Sequence, residues 1–182
     1  MNPRTTARRL HFFYGAHLDP RQFASCSQQP RLLGSARLAN CTLAFFGYAM
    51  KWDGAEESLQ PSAGAETWGV LYELAPDDAE RLDAEQCVRL DGSGAYFHIP
   101  VEVVTADGSV HEALTYLRST HGEAQLPSRE FLANIVAGAR AHGLPADYLE
   151  RLQALPSKPA SYRVPRENTL RQFFSIESAC NC

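Results

Sequence analysis

The chain has 182 residues, a formal net charge of −4, and 45% hydrophobic and 21% charged residues. This length favours one domain, since a single core typically uses roughly 100 to 200 residues, and the charge balance provides no electrostatic footprint for nucleic acid or an anionic membrane. The apolar runs are far shorter than the ~20 residues of a membrane-spanning helix, and the basic N-terminal segment lacks the apolar centre of a signal peptide. We therefore expect a cytoplasmic protein without nucleic-acid or membrane partners.

Strands dominate the first two thirds of the predicted elements. After a polar, basic segment at residues 1–9, which we expect to be disordered, aromatic and β-branched residues cluster between turn residues, as in strands. The predicted strands lie at residues 10–15, 32–47, 67–74, 96–105 and 111–118. Gly108 accepts the positive φ of a tight turn, so the last two strands should form an antiparallel hairpin.

Helices are predicted later in the chain and once between strands. The segment SREFLANIVAGARAHG has Ser128 as its N-cap and Gly143 as its C′ residue, with an apolar stripe between them. A second helix follows, with Pro145 near its first turn and Pro156 as its stop. An earlier short helix over residues 75–88 carries acidic residues near its positive end. Strands followed by helices favour the α+β class with a mixed, curled sheet.

The order of elements defines one domain at residues 10–156 and an irregular extension at residues 157–182. Within this extension we expect a helical turn near residues 168–176. The cysteines, at positions 26, 41, 87, 180 and 182, are odd in number and scattered, which indicates reduced thiols rather than a disulfide framework. The two at the C-terminus supply too few ligands for zinc, so no metal site is predicted.

The first strand ends at a short motif that could bind an anion. Gly15 follows the strand directly, and a glycine there lets the backbone approach a ligand while successive N–H groups form an anion-binding concavity. The motif YGAHL, residues 14–18, therefore reads as a cradle for a carboxylate or oxyanion, or as a bare strand-to-loop turn. These five residues alone favour the turn.

Further motifs change this balance through a family resemblance. FYGAHL, TWGVLYEL followed by RLDAEQCV, GAYFHIPVEV, TYLR and GARAHGLPADYLERLQAL occur in this order. Together they resemble the γ-glutamylcyclotransferase family, also called AIG2-like proteins, over residues 11–156, and the helix pair at 128–155 is most similar to the glutathione-cycle type. The resemblance implies a small mixed β-barrel with peripheral helices. It also implies an amide-cleaving acyltransferase or lyase that releases 5-oxoproline and a free amine from a γ-glutamyl amide or peptide.

In this family the reaction proceeds without a cofactor, because the α-amine of the substrate attacks its own γ-carbonyl group. The enzyme stabilises the oxyanion and moves protons from the α-ammonium group to the leaving amine. Carried over by position, the substrate-binding residues are Tyr14, Gly15, Ala16, His17 and Leu18, with Tyr96 and Tyr116 as pocket aromatics. Ala16 and His17 replace the commoner Ser and Asn, which preserves the backbone donors and removes two side-chain donors.

The largest departure concerns the family's catalytic glutamate, which follows a Leu-Asp pair in the pattern L-D-x-x-E-G. This chain reads LDAEQC, which places Gln86 at the catalytic position and Glu85 one residue early. Regular helical geometry turns Gln86 inward and Glu85 to the flank, and an amide cannot exchange a proton at neutral pH. We predict Glu85 as the acid/base and Gln86 as a substrate-binding residue. Asp91, in a glycine-rich loop, is the second candidate, and a non-catalytic Gln86 is the third.

Alternative functions therefore stay open beside the cyclotransferase. One is a related enzyme that uses the same pocket for a different acyl-transfer or lyase step, and another is a non-catalytic protein that binds a small molecule. The expected partner is a small γ-glutamyl compound, and the expected assembly is a monomer or homodimer. Trp52 and Trp68 are assigned to the core or rim, and the charged residues Asp53, Glu56 and Glu57 to a solvated loop.

Overall fold

The computed structural model describes residues 8–25, 27–89, 91–119 and 122–166. Its strands are β1 (Arg9–Phe13), β2 (Arg31–Ala49), β3 (Gly54–Leu74), β4 (Tyr96–Thr105) and β5 (Val110–Arg118). Its helices are α1 (Pro20–Ala24), α2 (Pro76–Glu85), α3 (Arg129–Ala141) and α4 (Ala146–Gln153), with a 3-10 turn at Ala16–Leu18. Arg9 begins β1 one residue before the predicted strand. The predicted turn near residues 168–176 and the C-terminal cysteines lie outside the described residues.

The strands form a closed barrel in the order β1-β3-β2-β4-β5. β1 pairs parallel with β5 through His11 and Leu114, and the other pairings are antiparallel. The predicted α+β class with a mixed, curled sheet is thus confirmed, and the sheet closes as the family resemblance implied. The β4–β5 hairpin is also confirmed, with Gly108 at φ +87° in its turn.

The long β2–β3 hairpin differs from the prediction. The sequence predicted a strand only at residues 67–74, but β3 begins at Gly54 and spans 21 residues. Its first half contains Glu56, Glu57 and Pro61, residue types that are depleted in strands. Irregularities in the β2–β3 pairing accommodate this half, including one between Phe46 and Ala49, since bulges bend a strand and change the direction of its side chains.

Helix α3 attaches the outer layer to the barrel. Ser128 Oγ accepts the Phe131 N–H, as the predicted N-cap should, and Phe131 stacks on the buried Trp52 with ring centroids 4.4 Å apart. Gly138 packs against the backbone of Leu18, where a Cβ would lie only 2.3 Å from a main-chain carbon. α3 therefore fixes the position of the 3-10 turn. Helix α1 was not predicted, because five residues show too little periodicity.

Candidate active site

Strand β1 continues into a buried turn that forms one wall of the candidate site. Residues 14–18 are all buried, and the Leu18 N–H donates to the Gly15 carbonyl at 3.0 Å. The Tyr14 hydroxyl donates to the backbone carbonyl of Tyr116 at 2.6 Å. The turn is thereby attached to β5 at its start and to α3 at its end.

Within this turn a backbone donor contacts a carboxylate. The Ala16 N–H donates to Glu57 Oε1 at 2.8 Å. A Cβ at Gly15 would lie 2.1 Å from the same oxygen. The Glu57 side chain therefore leaves space only for a glycine at this position. The turn presents an N–H group to the kind of oxygen that a carboxylate or an oxyanion provides.

A cavity of about 20 Å³ lies beside this hydrogen bond, with room for about one water molecule. Aromatic rings and a few polar groups form its wall, as in most small-molecule sites. The residues predicted to bind substrate that line it are Tyr14, Gly15, His17, Gln86, Tyr96 and Tyr116. Ala16 contributes the N–H described above, and Leu18 packs against α3.

Glu57 also lines this cavity, and its prediction as a solvated loop residue is wrong. Its side chain points from β3 into the barrel end and is only 7% exposed. Burial, and then the neighbouring Glu56 carboxylate, raise the pKa of Glu57, while the Ala16 N–H opposes this rise. The predicted solvation of Asp53 is wrong as well, since Asp53 is buried and accepts a hydrogen bond from Tyr48. Residues from other elements of the tertiary structure cover this segment and exclude solvent from it.

The neighbouring Glu56 is half-buried and paired with a cation. Its carboxylate forms an ion pair with the Arg118 guanidinium of β5, which also lies 5.7 Å from the centre of the Tyr96 ring. The Tyr96 hydroxyl donates to the backbone carbonyl of Glu57 at 3.2 Å. Arg118 thus compensates the charge of Glu56, and Tyr96 anchors the strand that carries Glu57.

At the end of helix α2, the side chains of Glu85 and Gln86 point in different directions. The helix ends at Glu85, and the Gln86 N–H still donates to the Leu82 carbonyl at 2.8 Å, so Gln86 keeps its inward direction and lines the cavity. Glu85 contacts Lys51 Nζ at 3.2 Å and His17 Nε2 at 3.3 Å. The structure therefore holds the predicted catalytic carboxylate in an ion-pair cluster at the rim.

His17 links the turn to both of these residues. Its Nδ1 lies 3.3 Å from the amide nitrogen of Gln86, and its Nε2 contacts Glu85. An amide nitrogen can only donate, so in this arrangement Nδ1 accepts and Nε2–H donates to Glu85. Through these two contacts His17 positions the turn against α2.

A polar cluster behind the cavity was missed at the sequence level. Asp83 Oδ1 accepts the Tyr116 hydroxyl at 2.8 Å and lies 2.7 Å from His98 Nε2. Although partial burial opposes it, hydrogen bonds from His98 and Tyr116 lower the pKa of Asp83. His11 stacks beside Tyr116, and burial lowers the pKa of His11 to about 4. No local motif joins these residues, because they come from four different elements.

The second candidate carboxylate, Asp91, lies at the surface. It is exposed and accepts hydrogen bonds from the Ser93 N–H and hydroxyl, at 3.0 and 2.7 Å. Among the described residues, no group of three or more His, Cys, Asp or Glu side chains could hold a metal ion. The helices in that part of the chain are all too short or too polar to cross a membrane.

Comparisons with known proteins agree with this architecture. A family model for AIG2-like proteins matches residues 66–152. γ-Glutamylcyclotransferase of Homo sapiens is 29% identical over 162 residues, which are 87% of this chain and 84% of that protein. The Bos taurus protein of the same name is 28% identical over 158 residues, 85% of this chain and 81% of the relative. A solved structure titled γ-glutamyl cyclotransferase superposes with a TM-score of 0.80 at 28% identity and covers 91% of this chain and 97% of its own.

Proposed function

We propose that this chain, which is similar to AIG2-like proteins and to γ-glutamylcyclotransferases over most of its length, cyclises a γ-glutamyl amide. The α-amine of the substrate attacks its own γ-carbonyl carbon, and 5-oxoproline and a free amine leave. The observation that carries this proposal is the Ala16 N–H, which donates to a carboxyl oxygen inside the cavity. A donor fixed in this way can stabilise the oxyanion that forms during the attack.

The remaining wall supports the same reaction. Tyr96 and Tyr116 face the cavity, and their rings can hold the glutamyl chain folded so that amine and carbonyl meet. Such positioning supplies a large part of the rate enhancement of an intramolecular reaction. No cofactor is needed in this scheme, because nucleophile and leaving group belong to one molecule. The sequence predicted Glu85 as the acid/base that transfers the protons. Because Glu85 lies in the ion-pair cluster at the rim, this role stays a prediction.

The size of the cavity bears on substrate binding. A space of about 20 Å³ is too small for a γ-glutamyl group, so lining side chains have to move when substrate enters. The γ-glutamyl end is the constant part in this proposal. Ala16 and His17, in place of the family's commoner Ser and Asn, change the hydrogen bonds that the turn offers to a substrate.

A second function is favoured by one specific observation. Gln86, which lines the cavity, cannot exchange protons at neutral pH. A chain that relied on this position would bind γ-glutamyl compounds without cleaving them, or would use the pocket for another acyl-transfer or lyase step. Cys41 and Cys87 are reduced rather than disulfide-bonded, which supports the cytoplasmic location proposed for either function. A monomer or homodimer stays a prediction.

Incubation with a panel of γ-glutamyl amides and peptides tests the reaction directly. Mass spectrometry should find 5-oxoproline and the free amine in equal amounts. The matched substrate controls are the α-linked isomer, in which the γ-carbonyl is not the amide, and the N-acetylated γ-glutamyl amide, which has no free amine. Both should stay intact.

Two outcomes would contradict the cyclotransferase. Saturable binding of γ-glutamyl compounds without 5-oxoproline would assign the chain to the binding function. Cleavage of the N-acetylated substrate would show a reaction that does not use the α-amine.

A further inference from the structure

The cavity contains a carboxylate that the family pattern does not provide. Among the described residues that line it, Glu57 alone carries a carboxyl group, whereas Gln86 offers an amide. Glu57 comes from β3 and Gln86 from the end of α2, so the two side chains reach one cavity from different elements. Glu85, the sequence candidate, has its two oxygens turned to Lys51 and His17 at the rim.

We propose that Glu57 carries the protons in the cyclisation, a role that the L-D-x-x-E-G pattern assigns to position 86. The inference rests on the proposed function and specifies which group performs its acid/base step. It requires a carboxyl group beside the oxyanion donor, and the 2.8 Å contact between the Ala16 N–H and Glu57 Oε1 meets that requirement.

The proton balance of the reaction can be met by one carboxyl group. The Glu57 carboxylate takes a proton from the α-ammonium group, and the freed amine forms the new C–N bond to the γ-carbon. The carbonyl π electrons move to oxygen, where the Ala16 N–H stabilises the charge. Glu57 returns the proton to the amide nitrogen, takes the second proton from the ring nitrogen and delivers it as the old C–N bond breaks. Two protons leave one nitrogen and two reach the other, so Glu57 ends as it began.

The resting hydrogen bond explains how Glu57 is held ready before substrate arrives. Its carboxyl group accepts the Ala16 N–H and lines the cavity. When the γ-carbonyl oxygen of the substrate accepts the Ala16 N–H instead, the Glu57 carboxylate is released. It then needs only one side-chain rotation to reach the reacting atoms. Gly15 is part of this arrangement, since a Cβ there would overlap the Oε1, Cγ and Cδ atoms of Glu57.

The surroundings of Glu57 favour its protonated form. Burial and the Glu56 carboxylate raise the pKa of Glu57, and a raised pKa is typical of a glutamate that acts as general acid/base. The other titratable groups facing it are Tyr14 at the end of β1, His17 of the turn and Tyr96 of β4. Arg118 of β5 is paired with Glu56.

The test measures the steady-state kinetics of Glu57→Gln beside those of the wild type and of Glu85→Gln. The matched control is Glu112→Gln, which makes the same chemical change at an exposed position of β5. Glutamine is isosteric and keeps an oxygen for the Ala16 N–H, so the variant should fold, which circular dichroism and thermal melting check. We expect kcat of Glu57→Gln to fall at least ~100-fold, the usual range for acid/base catalysis, with KM within about threefold. Glu112→Gln should match the wild type, and Glu85→Gln should lose less than about tenfold.

A double variant, Glu57→Gln with Gln86→Glu, separates chemistry from structure. It returns a carboxyl group to the same cavity from α2, and we expect it to regain at least about tenfold in kcat over Glu57→Gln, a gain that a merely structural role of Glu57 would not produce.

Several results would overturn the inference. A Glu57→Gln kcat within threefold of the wild type removes the role, and a loss confined to KM assigns Glu57 to binding. A gain in kcat/KM would show that Glu57 blocks the cavity. A loss of ~100-fold in Glu85→Gln with an active Glu57→Gln returns the role to Glu85. If the wild type itself forms no 5-oxoproline, the proposed function fails and this inference fails with it, whereas an active wild type and an active Glu57→Gln overturn the inference alone.

Discussion

Two regions of this molecule bring carboxylates toward one cavity, and they differ in what surrounds them. At the end of α2, Asp83 and Glu85 have side chains that are 34% and 21% exposed, and each contacts a histidine. In the first half of β3, Glu57 is 7% exposed and accepts a backbone N–H. Asp83 is thus stabilised as an anion by its partners and Glu85 lies in an ion-pair cluster, whereas the β3 carboxylate is deprived of water.

The difference has a measurable consequence for acid/base behaviour. Hydrogen bonds from His98 and Tyr116 lower the pKa of Asp83 despite its partial burial, while burial raises the pKa of Glu57. The same functional group therefore serves as a fixed anion in one region and as an exchangeable proton carrier in the other. Position in a motif is a weaker guide to this role than the environment that covers the group.

The largest expected effect on stability comes from His11, which lies behind the α2 region against His98 and Tyr116. Burial lowers the pKa of His11 from 6.5 to about 4. The unfolded chain then binds the proton more readily, so stability falls as pH drops from about 6.5 to about 4, by roughly 3 kcal/mol. Urea unfolding at several pH values measures this, with His11→Phe as the variant that should lack this contribution. Parallel curves for the two proteins would contradict the prediction.

The substitution Gly15→Ala should disrupt the contact between the turn and Glu57, the carboxylate of β3. The new Cβ would lie 2.1 Å from Glu57 Oε1, so Glu57 has to leave the Ala16 N–H. We expect kcat/KM to fall about 100-fold, or about 2.7 kcal/mol of transition-state stabilisation, and the chain to lose about 1–3 kcal/mol of stability through overpacking. Thermal melting of Gly15→Ala with Glu57→Ala should recover the stability, since the clash is gone and the effects couple. Strictly additive effects would show that the two residues do not compete for space.

The pH dependence of the free energy of unfolding should distinguish Glu57 from Glu85. With its pKa raised above 4.5, Glu57 holds its proton more tightly in the folded state, so its contribution to stability is lost as pH rises through the raised value. Glu57→Gln should therefore be more stable than the wild type at pH 8, with a higher melting temperature, and should match it at pH 4. Glu85→Gln should instead be less stable at pH 8, by under about 1 kcal/mol, since partly exposed ion pairs contribute little. The same sign for both variants would contradict the comparison.

The smallest effect is expected for Lys51, the cation at the rim of the α2 region. Lys51 is 39% exposed and contacts Glu85 at 3.2 Å. Lys51→Met keeps the apolar stem and removes the charge, so stability should change by less than about 0.5 kcal/mol, and the change should shrink further in 1 M salt. A drop of several kcal/mol in chemical unfolding would mean that the rim cluster carries more of the fold than its exposure indicates.

Much of the fold could be predicted because its signals are local. Ser128 and Gly143 bound α3 through cap chemistry that depends on a few neighbouring residues, and Gly108 marks the β4–β5 turn in the same way. The first half of β3 could not be predicted, since its Glu56 and Glu57 are buried by partners from other elements. The closure of the barrel between His11 and Leu114 is likewise a contact across about a hundred residues that no local pattern encodes.

The features of the candidate site likewise fall into those that local patterns predict and those that they do not. The sequence by itself determined the turn at residues 14–18, the inward direction of Gln86 and the resemblance to γ-glutamylcyclotransferases, because caps, helical periodicity and ordered motifs are read along the chain. Only the tertiary structure decided that Glu57 faces the cavity and Glu85 the rim. The direction of a strand side chain depends on register and bulges, and the pKa of a carboxyl group depends on what covers it. Residues distant in sequence decide both: Ala16 contacts Glu57, and Lys51 contacts Glu85.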